Sequence, residues 1–148
     1  MIPVVVDTNI LLSALLNPNG KEADLLFNAA AHGVRLFSCH FLHIEVLKHK
    51  SKILKLSGLT ESDYLELLHL LARRIEFIDE GQVPAATLDM ALALTKDVDR
   101  KDAPFVALAL HLGGIVWTGD KKLVVALTKK GWKSTASTRE LLARRPKH

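Results

Sequence analysis

The sequence predicts an α/β domain in which helices cover both faces of a mostly parallel sheet of about five strands. Three observations predict it. Short β-rich runs alternate with longer stretches of helical periodicity, the pattern that crossover connections produce. Two of those runs, from Ile2 to Val6 and from Ile115 to Thr118, are apolar without alternation, as strands buried on both sides must be. The 148 residues are 49% hydrophobic and 24% charged, which suits one compact domain spanning 1–148.

The elements follow in order. The run from Ile2 to Val6 is a strand of β-branched residues that stops at Asp7. Helical patterns from Asn9 to Leu16 and from Lys21 to His32 are separated by the turn Asn17-Pro18-Asn19-Gly20. After a strand from Val34 to Ser38, two long helices run from His40 to Leu56 and from Thr60 to Arg74, broken at Ser57-Gly58. Thr60, with Glu61 beside it and Asp63 three residues on, reads as a helix start. A strand from Ile75 to Ile78 precedes helices from Ala85 to Lys96 and from Ala103 to Leu112, the second opening near Pro104 and stopping at Gly113. The strand from Ile115 to Thr118 follows, then a helix from Lys121 to Lys130, a less apolar strand from Trp132 to Thr135 and a closing helix from Thr138 to Arg144. No internal repeat, low-complexity tract or linker interrupts the pattern.

Composition narrows the class. A single cysteine, Cys39, cannot form an internal disulfide, so a cytoplasmic location is expected. The longest apolar run, Pro104 to Thr118, is interrupted by His111 and two glycines, and the N-terminus has no export pattern, so neither membrane insertion nor secretion is expected. A net charge of +4 and a pI near 9.3 favour polyanionic partners.

Open parallel sheets bind ligands beyond the carboxyl ends of their strands. Asp7 closes the first strand, Asp120 follows the fourth, and Asp102 begins the helix that leads into the fourth. Each has a local explanation as an N-cap, worth about 1 kcal/mol, and capping leaves lone pairs free for a second duty. Glu45 lies four residues after Phe41 and three after Leu42, at the edge of an apolar helix face, where a carboxylate needs a partner or a cation. A surface pair with Lys48 or His49 is the local alternative.

Convergence of the four would have a cost. Two unit charges about 6 Å apart repel by roughly 3 kcal/mol at an effective dielectric of about 20. A divalent metal neutralises such a cluster, and all-oxygen donors favour Mg²⁺ or Mn²⁺ over Zn²⁺. An acidic metal site on a basic protein suits a phosphodiester, with metal-activated water as nucleophile and Lys and Arg outside the pocket holding the backbone.

Four stretches, "VVVDTNILLSALL", the helix containing Glu45, "DRKDAPFVALALHLGG" and "IVWTGDKKL", resemble the PIN-domain nucleases, and the correspondence runs from Ile2 to about Leu142. The resemblance implies a three-layer α/β/α sandwich. It also implies a catalytic metal site of Asp7, Glu45, Asp102 and Asp120, and metal-dependent cleavage of RNA leaving a 5′-phosphate. Asn9 and Thr118 match positions that orient the acids. Asp99 and Asp97, just before Asp102, are candidate ligands for a second metal, and both also fit a solvated acidic turn. Lys121 and Lys122, beside Asp120, are candidate substrate contacts. Small stand-alone members of this kind include VapC-type toxins, which implies an antitoxin partner and a homodimer; others mature RNA.

Other readings are narrower. Cys39, His40, His43 and Glu45 match no paired zinc-ligand spacing. Gly113, Gly114 and Gly119 form no dinucleotide fingerprint. Trp117 and Trp132 are expected to pack rather than stack on bases, and the basic end Arg144-Arg145-Pro146-Lys147-His148 to be solvated. A PIN-like module that binds RNA or protein without cutting is the main alternative. A haloacid-type phosphatase would need an acid two residues after Asp7, where Asn9 stands.

Overall fold

The computed structural model describes residues 1–144. Five strands, β1 (Ile2–Val6), β2 (Val34–Cys39), β3 (Glu76–Ile78), β4 (Ile115–Trp117) and β5 (Thr135–Ala136), form one all-parallel sheet in the order β3-β2-β1-β4-β5. Val4, Val5 and Val6 of β1 are wholly buried, which explains the unalternating apolar run: a central strand has a helix layer on each side.

The helices are α1 (Thr8–Leu16), α2 (Lys21–Asn28), α3 (Phe41–Lys48), α4 (Lys50–Ser57), α5 (Glu61–Ala72), α6 (Ala85–Leu94), α7 (Ala103–Leu112), α8 (Lys121–Lys129) and α9 (Thr138–Leu142). One layer is dominated by α7, which packs on α6 and across β1, β2 and β4. Its residues Phe105 to Ala109 are all buried, so it is apolar nearly all round. In the opposite layer α1 gathers α2, α3, α4 and α5. The result is the three-layer sandwich the sequence implied.

Gly113 takes the left-handed conformation, φ 64°, that stops α7. Gly114 then brings the chain against β1, where a Cβ would collide with the carbonyl oxygen of Pro3. The tight turn starts β4 beside β1.

Several boundaries differ from expectation. The helix expected from His40 to Leu56 is two, broken at His49 (φ −98°, ψ 1°), whose N–H bonds back to Val46 O at 3.1 Å. The break lets both halves pack against α1. The stretch from Ala29 to His32 tightens into a 3₁₀ turn, and α6 ends at Leu94, where buried Thr95 returns its hydroxyl to Ala91 O at 2.8 Å. The last strand lies at Thr135–Ala136, not Trp132 to Thr135, because the register sets Val116 opposite Thr135 and Trp117 opposite Ala136. Trp117 is fully buried and donates Nε1–H to Thr138 Oγ1 at 2.9 Å, while half-buried Trp132 packs on the core. Arg145 to His148 of the basic end lie outside the described residues.

Candidate active site

The strand order reverses between β1 and β4, since β2 and β3 extend the sheet on one side of β1 and β4 and β5 on the other. Such a switch point opens a crevice at the carboxyl ends of the two strands. Asp7 follows β1, while Thr118 and Asp120 follow β4; the two ends are tied by Asp7 N–H to Trp117 O at 3.4 Å.

A cavity of about 170 Å³ lies there, lined by Asp7, Glu45, Asp99 and Asp102, with Thr8 and Asn9 of α1 in its wall. Asp7 is 4% exposed and caps α1, its Oδ1 accepting the Ile10 N–H at 3.0 Å. Burial pushes its carboxyl up to about 6, against hydrogen bonding from Thr118 and from the Ile10 and Asn9 backbones, and the charge of Asp120 adds a smaller push. At the head of α7, Asp102 accepts no capping hydrogen bond, which corrects the capping alternative. Its backbone is already helical (φ −77°, ψ −21°), so its carboxyl does not fold back over the first turn. Burial first, then the charges of Asp99, Asp120 and Asp7, push that carboxyl up to about 7.

Glu45 is 5% exposed. Of its surface-pair alternative, the ion pair with Lys48 is present but long, the half-exposed ammonium lying 3.8 Å from Oε1; the surface position is not, since Oε1 is buried and accepts no hydrogen bond. Thr8 Oγ1, in the same cavity wall, is likewise buried and unpartnered.

Asp120 stands outside the cavity lining but near enough to raise both Asp7 and Asp102. One oxygen, Oδ1, caps α8 through Lys122 N–H at 3.0 Å and Leu123 N–H at 3.2 Å. Buried Thr118 accepts the Asp120 N–H at 3.0 Å, fixing the turn. Asp99 takes part in the acidic turn expected of it, accepting the Lys101 N–H at 2.9 Å, and also lines the cavity. Asp97 points elsewhere, pairing with Lys130 at 3.1 Å.

Sequence reading did not assign five of the lining residues to the site, the aromatic Phe41 and Phe105 and three polar ones. Thr8 was hidden inside the "DTN" stretch, His49 enters because the helix breaks at it, and Lys101 is brought in by the 3₁₀ turn before α7. Among the described residues, no three His, Cys, Asp or Glu side chains form a ready metal-ligand set. The zinc alternative is weakened further at Cys39, a buried thiol pushed up to about 12 by burial and by the charge of Glu80.

Comparison with known proteins places the chain in a family. A family model described as PIN domain matches residues 5–143. The fold is similar to the crystal structure of PAE2754 from Pyrobaculum aerophilum, with TM-score 0.66 and 16% identity over 95% of this chain and 87% of that one. It is also similar to a chain of VapBC-1 from nontypeable Haemophilus influenzae, with TM-score 0.65 and 14% identity over 93% and 99% of the two chains. No curated protein sequence matches the chain. Because the match runs from β1 to α9 and covers nearly the whole chain, this chain belongs to the PIN-domain family.

Proposed function

We propose that the chain is a ribonuclease that hydrolyses RNA phosphodiester bonds with Mg²⁺ or Mn²⁺ held by Asp7, Glu45, Asp102 and Asp120. The observation that carries the reading is a pair of buried oxygens, Thr8 Oγ1 and Glu45 Oε1, left without hydrogen-bond partners by residues that line one acidic cavity. Buried polar atoms are rarely left unpaired, and crowded carboxylates rarely go uncompensated. Hard oxygen donors, two of them pushed toward protonation, fit a divalent cation that displaces the protons and gives the orphaned oxygens a partner.

When bound, such an ion lowers the pKa of water and stabilises the charge that develops on a transferring phosphoryl group. The chain's own residues prepare the place. Asp7 and Asp120 each commit Oδ1 to a helix N-terminus, while Asp102 caps nothing. Thr118 holds the turn that carries Asp120 and hydrogen-bonds toward Asp7, and Asn9 lines the cavity rim. Asp99, beside Asp102, is the candidate ligand for a second ion. Lys101 at the cavity and Lys121 and Lys122 at the head of α8 supply positive charge for substrate phosphates.

We read its biological role as the toxin of a cytoplasmic toxin–antitoxin pair, with an antitoxin protein and a second copy of the chain as partners. The likeness in fold to VapBC-1 supports that role. No helix of the described residues is long and apolar enough to cross a membrane.

The test is incubation of the purified chain with end-labelled RNA in Mn²⁺ and in EDTA. Cleavage to 5′-phosphate products in Mn²⁺ alone is expected. Binding without cleavage, across several metals and RNAs, would identify a non-catalytic module instead.

A further inference from the structure

We propose that a groove along α8 holds the backbone of a single nucleic-acid strand on one side of the bond to be cut, through Lys121, Lys122 and Lys129. The inference takes from the nuclease reading the direction in which the strand runs. The binding itself rests on the groove.

The groove has a volume of about 510 Å³ and lies between α8 and the segment at Asp97 and Val98. Both of its walls are joined along the chain to residues of the acidic site. Asp120 immediately precedes Lys121, and the Asp97–Val98 segment leads within a few residues to Asp99, Lys101 and Asp102. Four lysines line the groove, and they are not equivalent. Lys130 is occupied: its ammonium pairs with Asp97 at 3.1 Å and donates to Ala93 O at 2.7 Å, joining α8 to the end of α6. Among the described residues, Lys121, Lys122 and Lys129 make no ion pair.

Helical spacing sets what these three can hold. Lys121, Val125 and Lys129 follow one another at four-residue intervals, so they form one row along the helix. The row spans about 12 Å at 1.5 Å per residue, the reach of roughly three or four stacked nucleotides at 3.4 Å each. Between the charges lies an apolar floor: Val125 is 53% exposed, with Ala126 and Val98 beside it. A duplex presents phosphates and groove edges and gains nothing from such a floor. A single strand can lay base and ribose faces on it while its phosphates meet the lysines.

The test measures binding of a fluorescent single-stranded RNA of about 12 nucleotides by anisotropy in EDTA at several salt concentrations. The triple variant Lys121→Gln, Lys122→Gln, Lys129→Gln should bind about tenfold more weakly at moderate salt, with the salt slope reduced by about two, near 0.7 per lost contact. The triple variant Lys21→Gln, Lys52→Gln, Lys55→Gln loses the same net charge elsewhere and should change affinity less than twofold. Lys129→Gln alone, the substitution farthest from the acids, should weaken binding measurably and raise KM more than it lowers kcat. Equal losses in the two triple variants, or tighter binding of duplex than of single strand, would overturn the groove. Wild-type cleavage in Mn²⁺ separates the two proposals: groove-dependent binding without cleavage removes the nuclease and leaves the groove, and cleavage that is indifferent to these lysines does the reverse.

Discussion

Asp7 and Asp102 stand at the heads of two helices and serve them differently: Asp7 Oδ1 accepts the Ile10 N–H at 3.0 Å, whereas the Asp102 carboxyl accepts no backbone N–H of α7. A local structural duty therefore accounts for part of Asp7 and for none of Asp102. Asparagine at either position keeps the shape and removes the charge. Each variant should lose about 100-fold or more in kcat/KM for RNA cleavage. In EDTA at pH 8, Asp102→Asn should melt at a higher temperature than wild type, since it deletes a crowded charge and sacrifices no cap. Wild-type turnover in both variants would remove these residues from the reaction.

The same carboxyls set a pH dependence. Their folded pKa values, about 6 for Asp7 and about 7 for Asp102, lie above the ordinary 3.8, so the folded chain binds more protons than the unfolded one between these limits. Their contribution is then fully present below about pH 4 and is lost as pH rises through 6 to 7, on the order of 3 kcal/mol from buried Asp7. Mn²⁺ should reverse the loss, raising the melting temperature more at pH 8 than at pH 5, where it competes with protons. Calorimetry at the two pH values, with and without Mn²⁺, reads the difference; equal metal effects would contradict it.

Asp120 carries a capping duty and a charge, and two substitutions separate them. Asn can still accept the Lys122 and Leu123 N–H groups, so Asp120→Asn should change stability by a few tenths of a kcal/mol while lowering cleavage at least tenfold. Asp120→Ala should lose the cap as well, about 1 kcal/mol by chemical denaturation. Equal stability of the two variants would mean that the cap contributes little to holding α8.

How much of this was legible in sequence follows from the range of the interactions. The strand from Ile2 to Val6 was readable to its ends, because burial on both faces leaves a continuous apolar run. Asp7 and Asp120 stood out for the related reason that a carboxylate directly after such a strand faces the crevice. Glu45 was readable only as an edge residue, since its burial is set by what packs over α3, which the periodicity of one helix does not encode. The unpartnered Thr8 hydroxyl and the entry of Lys101 and His49 into the cavity were not legible at all. They arise from how distant segments meet, which periodicity does not encode. The reverse happened at Asp102, where sequence supports a cap and the dihedral angles deny it.

Glu45 offers the sharpest separation between a structural ion pair and a metal ligand. As an ion pair it would lose stability when neutralised, because Lys48 would lose its partner. The geometry argues otherwise: Lys48 lies at 3.8 Å and is 55% exposed, so the pair is worth little, while Oε1 is buried with no donor. A neutral amide is less costly to bury there than a carboxylate. Glu45→Gln should therefore raise the metal-free melting temperature, by an amount equivalent to about 1 kcal/mol, and at the same time weaken Mn²⁺ binding about tenfold or more by calorimetric titration. The two effects have opposite signs for the folded chain, one gained without metal and one lost with it. A fall in metal-free stability together with unchanged Mn²⁺ affinity would assign Glu45 to Lys48 and remove it from the site.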